Sequence, residues 1–335
     1  MKNAIKKRKH SLALISILFV LLCAVLLSIN SGYSQIPYAE VIQSIINPGS
    51  PDASVILLQI RLPRIILAVL CGMGLAMSGC TLQAVTENPL ADPGILGINA
   101  GAGFTVMLFL TLFPSLHTST RFFQPIFALA GGLLVAGILY SFSKRNGKIR
   151  PSYLLLGGIG VSAGFSSIML IMASDMENSS YQLIARWLAG NIWGSSWYQV
   201  KVLIPYLILL IPLLLAKADI LDLLLLGEEA SMALGVRVEK ERRILLIVAV
   251  ALAASCISVS GGIGFIGLVA PHIAKRFAGV RHRALMPASM LMGGLLLLLA
   301  DTMGRSVFQP IEIPVGIVIS VLAAPYFLYL LRREL

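Results

Sequence analysis

The chain has 335 residues, of which 57% are hydrophobic and 12% are charged, and its 26 Lys and Arg against 15 Asp and Glu give a formal net charge of +11. In a soluble protein this basic balance would suggest a nucleic-acid partner. However, apolar runs close to the roughly 20 residues that a helix needs to cross a bilayer recur along the whole length. The sequence therefore predicts an all-α polytopic membrane protein in which residues 1–335 form a single transmembrane domain.

Ten candidate spans follow one another along the chain. They are residues 12–30, 62–82, 94–113, 123–143, 152–173, 200–218, 244–262, 263–277, 284–303 and 313–331. The first span exceeds the roughly 7–15 apolar residues of a cleaved signal peptide and no A-x-A site follows it, so we interpret it as uncleaved. The apolar run over 244–277 is too long for one span and short for two. Its second part, 263–277, is predicted to be short or partly re-entrant.

Basic residues determine the predicted orientation. If 244–277 were one span, the basic residues between 275 and 283 and those near the C-terminus would face outward, against the positive-inside rule. With ten spans and both termini in the cytoplasm, 20 of the 26 basic residues lie on the cytoplasmic side. The positive charge is then explained by topology, and nucleic acid is not expected as a partner.

A weak internal match predicts an inverted repeat. Pro89 and Pro271 lie 182 positions apart, as do Gly97 and Gly279. The matched segments run in opposite directions in the predicted topology, as an inverted repeat requires. Because secondary transporters often contain such repeats, the alternative function is an ion-coupled carrier of a small solute.

Residues that could supply chemistry or energy are scarce. The four Cys and four His residues are scattered, which indicates neither a metal site nor a bound cofactor. No Walker-type phosphate loop occurs, so the chain is not expected to be an enzyme or to hydrolyse ATP by that route. Asp301 lies near the outer end of its span, and Glu87 and Asp92 fall in TENPLADPG, which indicates a cytoplasmic turn. An ion-coupled carrier would need acidic or His relays near the midplane, so we expect the energy to come from a partner.

Three arginines mark the predicted outer face. Arg61 and Arg64 flank a proline in IRLPRI at the mouth of the second span, and Arg305 lies at the outer end of the ninth. Arginines at helix ends commonly extend to the interface, which is one interpretation. The other is docking of carboxylates from a partner, for which the planar guanidinium is suited. The arginines alone leave both interpretations open.

The longest non-spanning cytoplasmic segment is 219–243, DILDLLLLGEEASMALGVRVEKERR. Ala230, Ala233 and Leu234 lie three and four apart and can share one face of a short helix. Two glutamates occupy its first turn, where the helix dipole favours anions, and a glycine follows as a stop signal. A helix on the bilayer surface is one interpretation, but its carboxylates would lie beside anionic lipid. Insertion into a groove of a soluble partner fits better.

The segment GEEASMALGV resembles the EAA-type coupling motif of ABC-importer permeases. Glu229, Ala230, Ser231 and Gly235 stand where that motif has E-A-A-x-x-x-G, and Ser231 departs from it. The rest of the chain resembles the FecCD-type permeases that import iron siderophores, haem and cobalamin. The similar segments, in family order, are RLPRIILAVLCGMGLAMSGCTLQAVTENPLADPGILGINAGAG, RWLAGNIWGSSW, GFIGLVAPHIAKR, ADTMGR and IEIPVGIVISVLAAPYFLYLL.

This resemblance implies a permease dimer, homo- or heteromeric, with ten transmembrane helices per subunit, two cytoplasmic ATPase subunits and an external substrate-binding protein. Within residues 219–243, called the coupling segment here, a helix over about 226–236 would contact the ATPase. The ATPase-coupling residues implied are Gly227, Glu228, Glu229, Ala230, Ser231, Leu234 and Gly235. Arg61, Arg64 and Arg305, called the arginine cluster, would receive acidic residues of the binding protein. The expected function is ATP-driven import of an iron-siderophore type chelate across the cytoplasmic membrane, with ATP hydrolysed by the partner.

Overall fold

A computed structural model describes residues 2–31, 54–113, 120–145, 148–149, 151–174, 176, 178–192, 194–307 and 311–334. Over these ranges the chain forms thirteen α-helices. They are α1 (Lys2–Asn30), α2 (Leu62–Val85), α3 (Ile98–Leu112), α4 (Thr120–Ser143), α5 (Pro151–Ser174), α6 (Asn178–Leu188), α7 (Trp197–Leu215), α8 (Ala218–Leu224), α9 (Glu228–Ala233), α10 (Val238–Ser260), α11 (Ile266–Ala278), α12 (His282–Ser306) and α13 (Val315–Glu334).

The ten predicted spans all coincide with helices, which confirms the all-α fold. Seven helical stretches are long and apolar enough to cross a membrane by length and composition, and α3 and α13 are shorter apolar helices. The run over 244–277 is indeed two segments, because α10 ends at Gly261 and α11 begins after Phe265, both with positive φ. Helix α11 has 13 residues and rises about 20 Å, less than the hydrocarbon core of a bilayer.

The structure also contains elements that the ten predicted spans did not include. A π-helical turn, Ile56–Arg61, leads directly into α2. An antiparallel hairpin pairs β1 (Lys144–Arg145) with β2 (Lys148–Ile149). Helices α6 and α8 contain 11 and 7 residues, too few to span. In addition, α3 starts later than predicted because residues 93–97 form a turn.

Helices α2, α10 and α12 form the centre of the bundle. In the span that contains α2, 78% of the residues are buried, against 17% in α5. Glycines allow α2 to approach its neighbours, since a Cβ on Gly72 would overlap the backbone of Gly293 in α12. A Cβ on Gly79 would likewise overlap the backbone of Gly267 in α11. Such small-residue contacts substitute for the hydrophobic driving force that lipid does not provide.

Candidate functional site

The coupling segment folds into α8, α9 and the beginning of α10. Helix α9 contains the two glutamates in its first turn, as predicted, and Glu229 is exposed. Gly235 has φ +84 and ends the helix. Its N–H donates to the carbonyl oxygen of Met232 at 2.9 Å, and the N–H of Val236 donates to the carbonyl oxygen of Ser231 at 3.0 Å. This pair of bonds is a Schellman motif, so the predicted stop signal is confirmed.

Ser231 fastens α9 to the preceding helix. The side chain is fully buried, and its hydroxyl lies 2.7 Å from the carbonyl oxygens of both Leu223 and Gly227. Leu223 belongs to α8, so this contact extends beyond the helix itself. An alanine, which the EAA-type motif has at this position, could not form it. The departure of this sequence from the motif therefore has a structural role.

The opposite face of α9 is open. Ala230, Ala233 and Leu234 are all exposed, as one shared face requires, and Leu234 has 61% of its surface accessible. Met232 on the same helix and Leu226 just before it are also exposed. Monomeric soluble surfaces rarely group apolar side chains in this way, which is typical of an interaction surface.

Two aspartates attach the coupling segment to the start of α12. Asp222 accepts a hydrogen bond from the backbone N–H of His282 at 3.0 Å and lies 2.6 Å from its Nδ1. Asp219 pairs with Arg283 through two contacts of 2.5 and 2.7 Å. Both members of that second pair are largely exposed. Exposed pairs of this kind stabilise a structure little.

The arginine cluster lies at the other end of α2 and α12. Arg64 binds Asp301 of α12 at 2.9 Å and Glu312, just before α13, at 2.8 Å. Asp301 is 2% exposed and Arg64 is 11% exposed, whereas Glu312 retains 37% of its surface. Thus Arg64 has one buried and one accessible carboxylate partner within its own chain.

Arg61 and Arg305 hold the C-terminal end of α1. Arg61 donates to the carbonyl oxygen of Ile29 at 2.6 Å. Arg305 donates to the carbonyl oxygens of Ser28 and Ser31, the latter at 2.7 Å. The last carbonyls of a helix have no intrahelical donor and carry the negative end of its dipole, so two guanidinium groups stabilise them. Both side chains are 6% exposed, and their role in docking a partner stays a prediction.

The turn after α2, residues 86–97, connects three parts of the molecule. Glu87 binds Arg242 in the first turns of α10 at 2.6 Å. Asp92 is buried and accepts hydrogen bonds from backbone N–H groups that include those of Gly94, Phe265 and Leu268. Burial raises the pKa of the Asp92 carboxyl to about 6, and these N–H groups oppose the rise. The turn is thus bonded to the beginning of α10 and to the beginning of α11.

A cavity of about 490 Å³ opens beside this turn, between α3, α5 and α6. Polar and thioether side chains line it together with small and aliphatic residues. The polar and sulfur-containing side chains are Asn99, Met107, Ser162, Ser166, Met169 and Tyr181. Gly94 of the turn also reaches the wall. Among the described side chains that line the cavity, none carries a full charge at neutral pH.

Within the described ranges, no group of three or more His, Cys, Asp or Glu side chains is placed to hold a metal ion. The four cysteines are free thiols on helices. His117, one of the scattered histidines, lies outside the described residues.

Known proteins similar to this chain are transporters. A model described as the FecCD transport family matches residues 19–333. The iron(3+)-hydroxamate import system permease protein FhuG of Bacillus subtilis (strain 168) is 43% identical over 332 residues, 98% of each chain. The Fe(3+)-citrate import system permease protein YfmE of the same organism is 42% identical over 339 residues, 100% of this chain and 99% of that protein. A solved structure of a metal-chelate type ABC transporter in an inward-facing conformation matches with TM-score 0.82 and 27% identity, covering 96% of this chain and 99% of that one.

Proposed function

The chain belongs to the FecCD transport family as the permease subunit of an ABC importer, and we propose that its cargo is an iron-siderophore type chelate. The choice of cargo rests on two relatives that match nearly the whole chain at 42–43% identity. They are permeases named for iron(3+)-hydroxamate and Fe(3+)-citrate import. The described lining of the cavity, which includes hydroxyls and thioethers but no charged side chain, supports the same cargo class.

The coupling segment supports a partner ATPase as the source of energy. Helix α9 presents an exposed apolar face beside Glu229, and it is short enough to fit a groove on a soluble protein. We propose that two cytoplasmic ATPase subunits bind here and hydrolyse the ATP. In this scheme the permease itself needs no bound cofactor. We further propose that its multi-pass chain lies in the cytoplasmic membrane with both termini in the cytoplasm.

We propose that a second permease subunit completes the translocation path. Helix α5, which lines the cavity, is the least buried of the seven long apolar helices. A path between two subunits would give each chelate two such walls. Closure of the ATPases would displace α9 and expose the path alternately to the two sides of the membrane.

The arginine cluster supports an extracytoplasmic binding protein as the third kind of partner. Arg64 has one accessible carboxylate neighbour, which a carboxylate of the binding protein would replace. Arg61 and Arg305 add positive charge beneath it and hold α1 in place. We propose that acidic residues of the binding protein dock on this cluster.

Reconstitution tests the proposal. Proteoliposomes containing the permease, its ATPases and the binding protein should take up radioactive ferric chelate only with ATP, and an ATPase variant unable to hydrolyse ATP should abolish uptake. Uptake driven by a proton or sodium gradient without the ATPase would instead establish the ion-coupled carrier. A complete assembly that moves no chelate would indicate a scaffold.

A further inference from the structure

Glu87 occupies an unusual backbone conformation. Its φ is +51, and Glu87 and Phe265 are the only non-glycine residues with positive φ over the described ranges. The left-handed region is unfavourable for a side chain such as glutamate, and such residues persist only where surrounding contacts hold them. The conformation brings the Glu87 carboxylate to Arg242.

The contact with Arg242 is well placed to hold that conformation. The carboxylate oxygen lies 2.6 Å from Nη2, and the Arg242 side chain is 5% exposed. A charge-assisted hydrogen bond to a guanidinium with so little access to water is stronger than a surface pair. Glu87 itself is 45% exposed, so its carboxylate can be exchanged without opening the core.

Arg242 belongs to the coupling segment. It lies in the second turn of α10, which begins at Val238, only five residues after the end of α9. Lys217, before α8, also binds α10 through Glu241 at 2.7 Å. The chain between α9 and α10 is short, α9 is bonded to α8 through Ser231, and α10 is bonded to Lys217 just before α8. We therefore expect a displacement of α9 to displace the guanidinium of Arg242.

The turn extends from the Glu87–Arg242 contact to the cavity. Glu87 begins the turn, whereas Gly94 near its other end lines the cavity wall. Asn88 and Asp92 brace the loop internally by accepting bonds from Leu90 and Gly94, both at 2.8 Å. A braced turn moves as a unit when one of its ends is pulled.

We propose that the Glu87–Arg242 pair is a positioning contact through which movement of α9 reaches the cavity. The pair is distinct from the coupling segment's contacts with any partner, and it acts inside the permease. The proposal rests on the proposed function, because it requires an ATPase that moves α9.

Glu87→Asn tests it with little risk to folding, because asparagine tolerates the left-handed region and lacks the carboxylate. In the reconstituted importer we expect ATPase subunits to remain bound and to hydrolyse ATP. The number of chelates imported per ATP should fall about three- to tenfold, the loss expected for a partly buried charged hydrogen bond. Ser141→Ala, which removes an exposed hydroxyl that bonds to Gly137 within its own helix and lies outside both the turn and the coupling segment, should leave that ratio unchanged.

Glu87→Gly provides a second variant, because glycine relieves the strain while removing the same carboxylate. An unchanged chelate-to-ATP ratio in both variants would overturn the proposal while leaving the function of the importer intact. Loss of ATPase binding in both would also overturn it, since the pair would then act on docking. Failure of wild-type protein to transport would concern the proposed function instead.

Discussion

Two ion pairs at opposite ends of α2 and α12 differ in how far their side chains are buried. At the arginine cluster, Asp301 is 2% exposed and lies between guanidinium groups of Arg64 and Arg305. At the coupling segment, Asp219 and Arg283 pair with more than half of each side chain in solvent. The 24 residues of α2 separate the two ends by about 36 Å. One end therefore has a carboxylate buried between two guanidinium groups, whereas the Asp219–Arg283 pair at the other end is open to solvent.

Asp301→Ala should produce the largest effect of any single change at these ends. It leaves Arg64 and Arg305 without their buried carboxylate, and breaking a buried pair costs about 3–5 kcal/mol. Thermal unfolding in detergent should show a clear fall in the midpoint. Asp219→Ala is the matched control on the exposed pair, and its midpoint should scarcely change. Equal shifts for the two variants would contradict the distinction between the ends.

Gly235→Val should weaken ATPase binding to the coupling segment without removing any side-chain contact. No atom would obstruct a Cβ at this position, so the effect comes only from φ +84, which is strained for a β-branched residue by about 1–3 kcal/mol. We expect less ATPase to co-purify with the permease. Gly235→Asn is the control, because asparagine is accepted at this position of a helix end. If both variants retain the ATPase fully, the geometry of this turn is not needed for docking.

Much of the fold could be predicted because a membrane-spanning helix is recognisable from a single short stretch of sequence. Each span is a contiguous apolar run, and the positive-inside rule required that the run over 244–277 be divided. Helix α6 was not predicted because its sequence, NSSYQLIARWL, mixes polar and apolar residues over 11 positions. The proposed inverted repeat stays a prediction.

The site was less predictable because its contacts join distant residues. Arg64 and Asp301 are 237 positions apart, and Arg242 and Glu87 are 155 apart. No periodicity or spacing connects such residues. Glu312 was missed altogether, although an acidic residue at the mouth of a span beside an arginine-rich face is a signal that could have indicated it. Gly235 and the first-turn glutamates of α9 were predictable, since helix ends have local rules.

Ser231→Ala should give a smaller effect at the coupling end. It removes the hydroxyl that joins α9 to the Leu223 carbonyl, worth about 1 kcal/mol. ATPase affinity should therefore fall by about fivefold, measured by titration of labelled ATPase onto the permease. Ser255→Ala is the control, because that hydroxyl bonds only to Ala251 within its own helix. Equal affinities in the two variants would argue against a role for the α8 contact.

Glu312→Gln should have the smallest effect, and one of opposite sign. Glu312 is the accessible carboxylate on Arg64, so it would compete with a carboxylate of the docking protein. Neutralising it should raise the affinity for the binding protein by about two- to fivefold, the range expected for an exposed pair. The gain should shrink at high salt, because screening weakens the pair in either form. Thr302→Val serves as the control, since that hydroxyl contacts Ser28 in the same region without touching Arg64. A fall in affinity for Glu312→Gln would mean that Glu312 orients Arg64 for the partner and does not compete with it. The arginine cluster would then work as a rigid platform, in keeping with its buried charges.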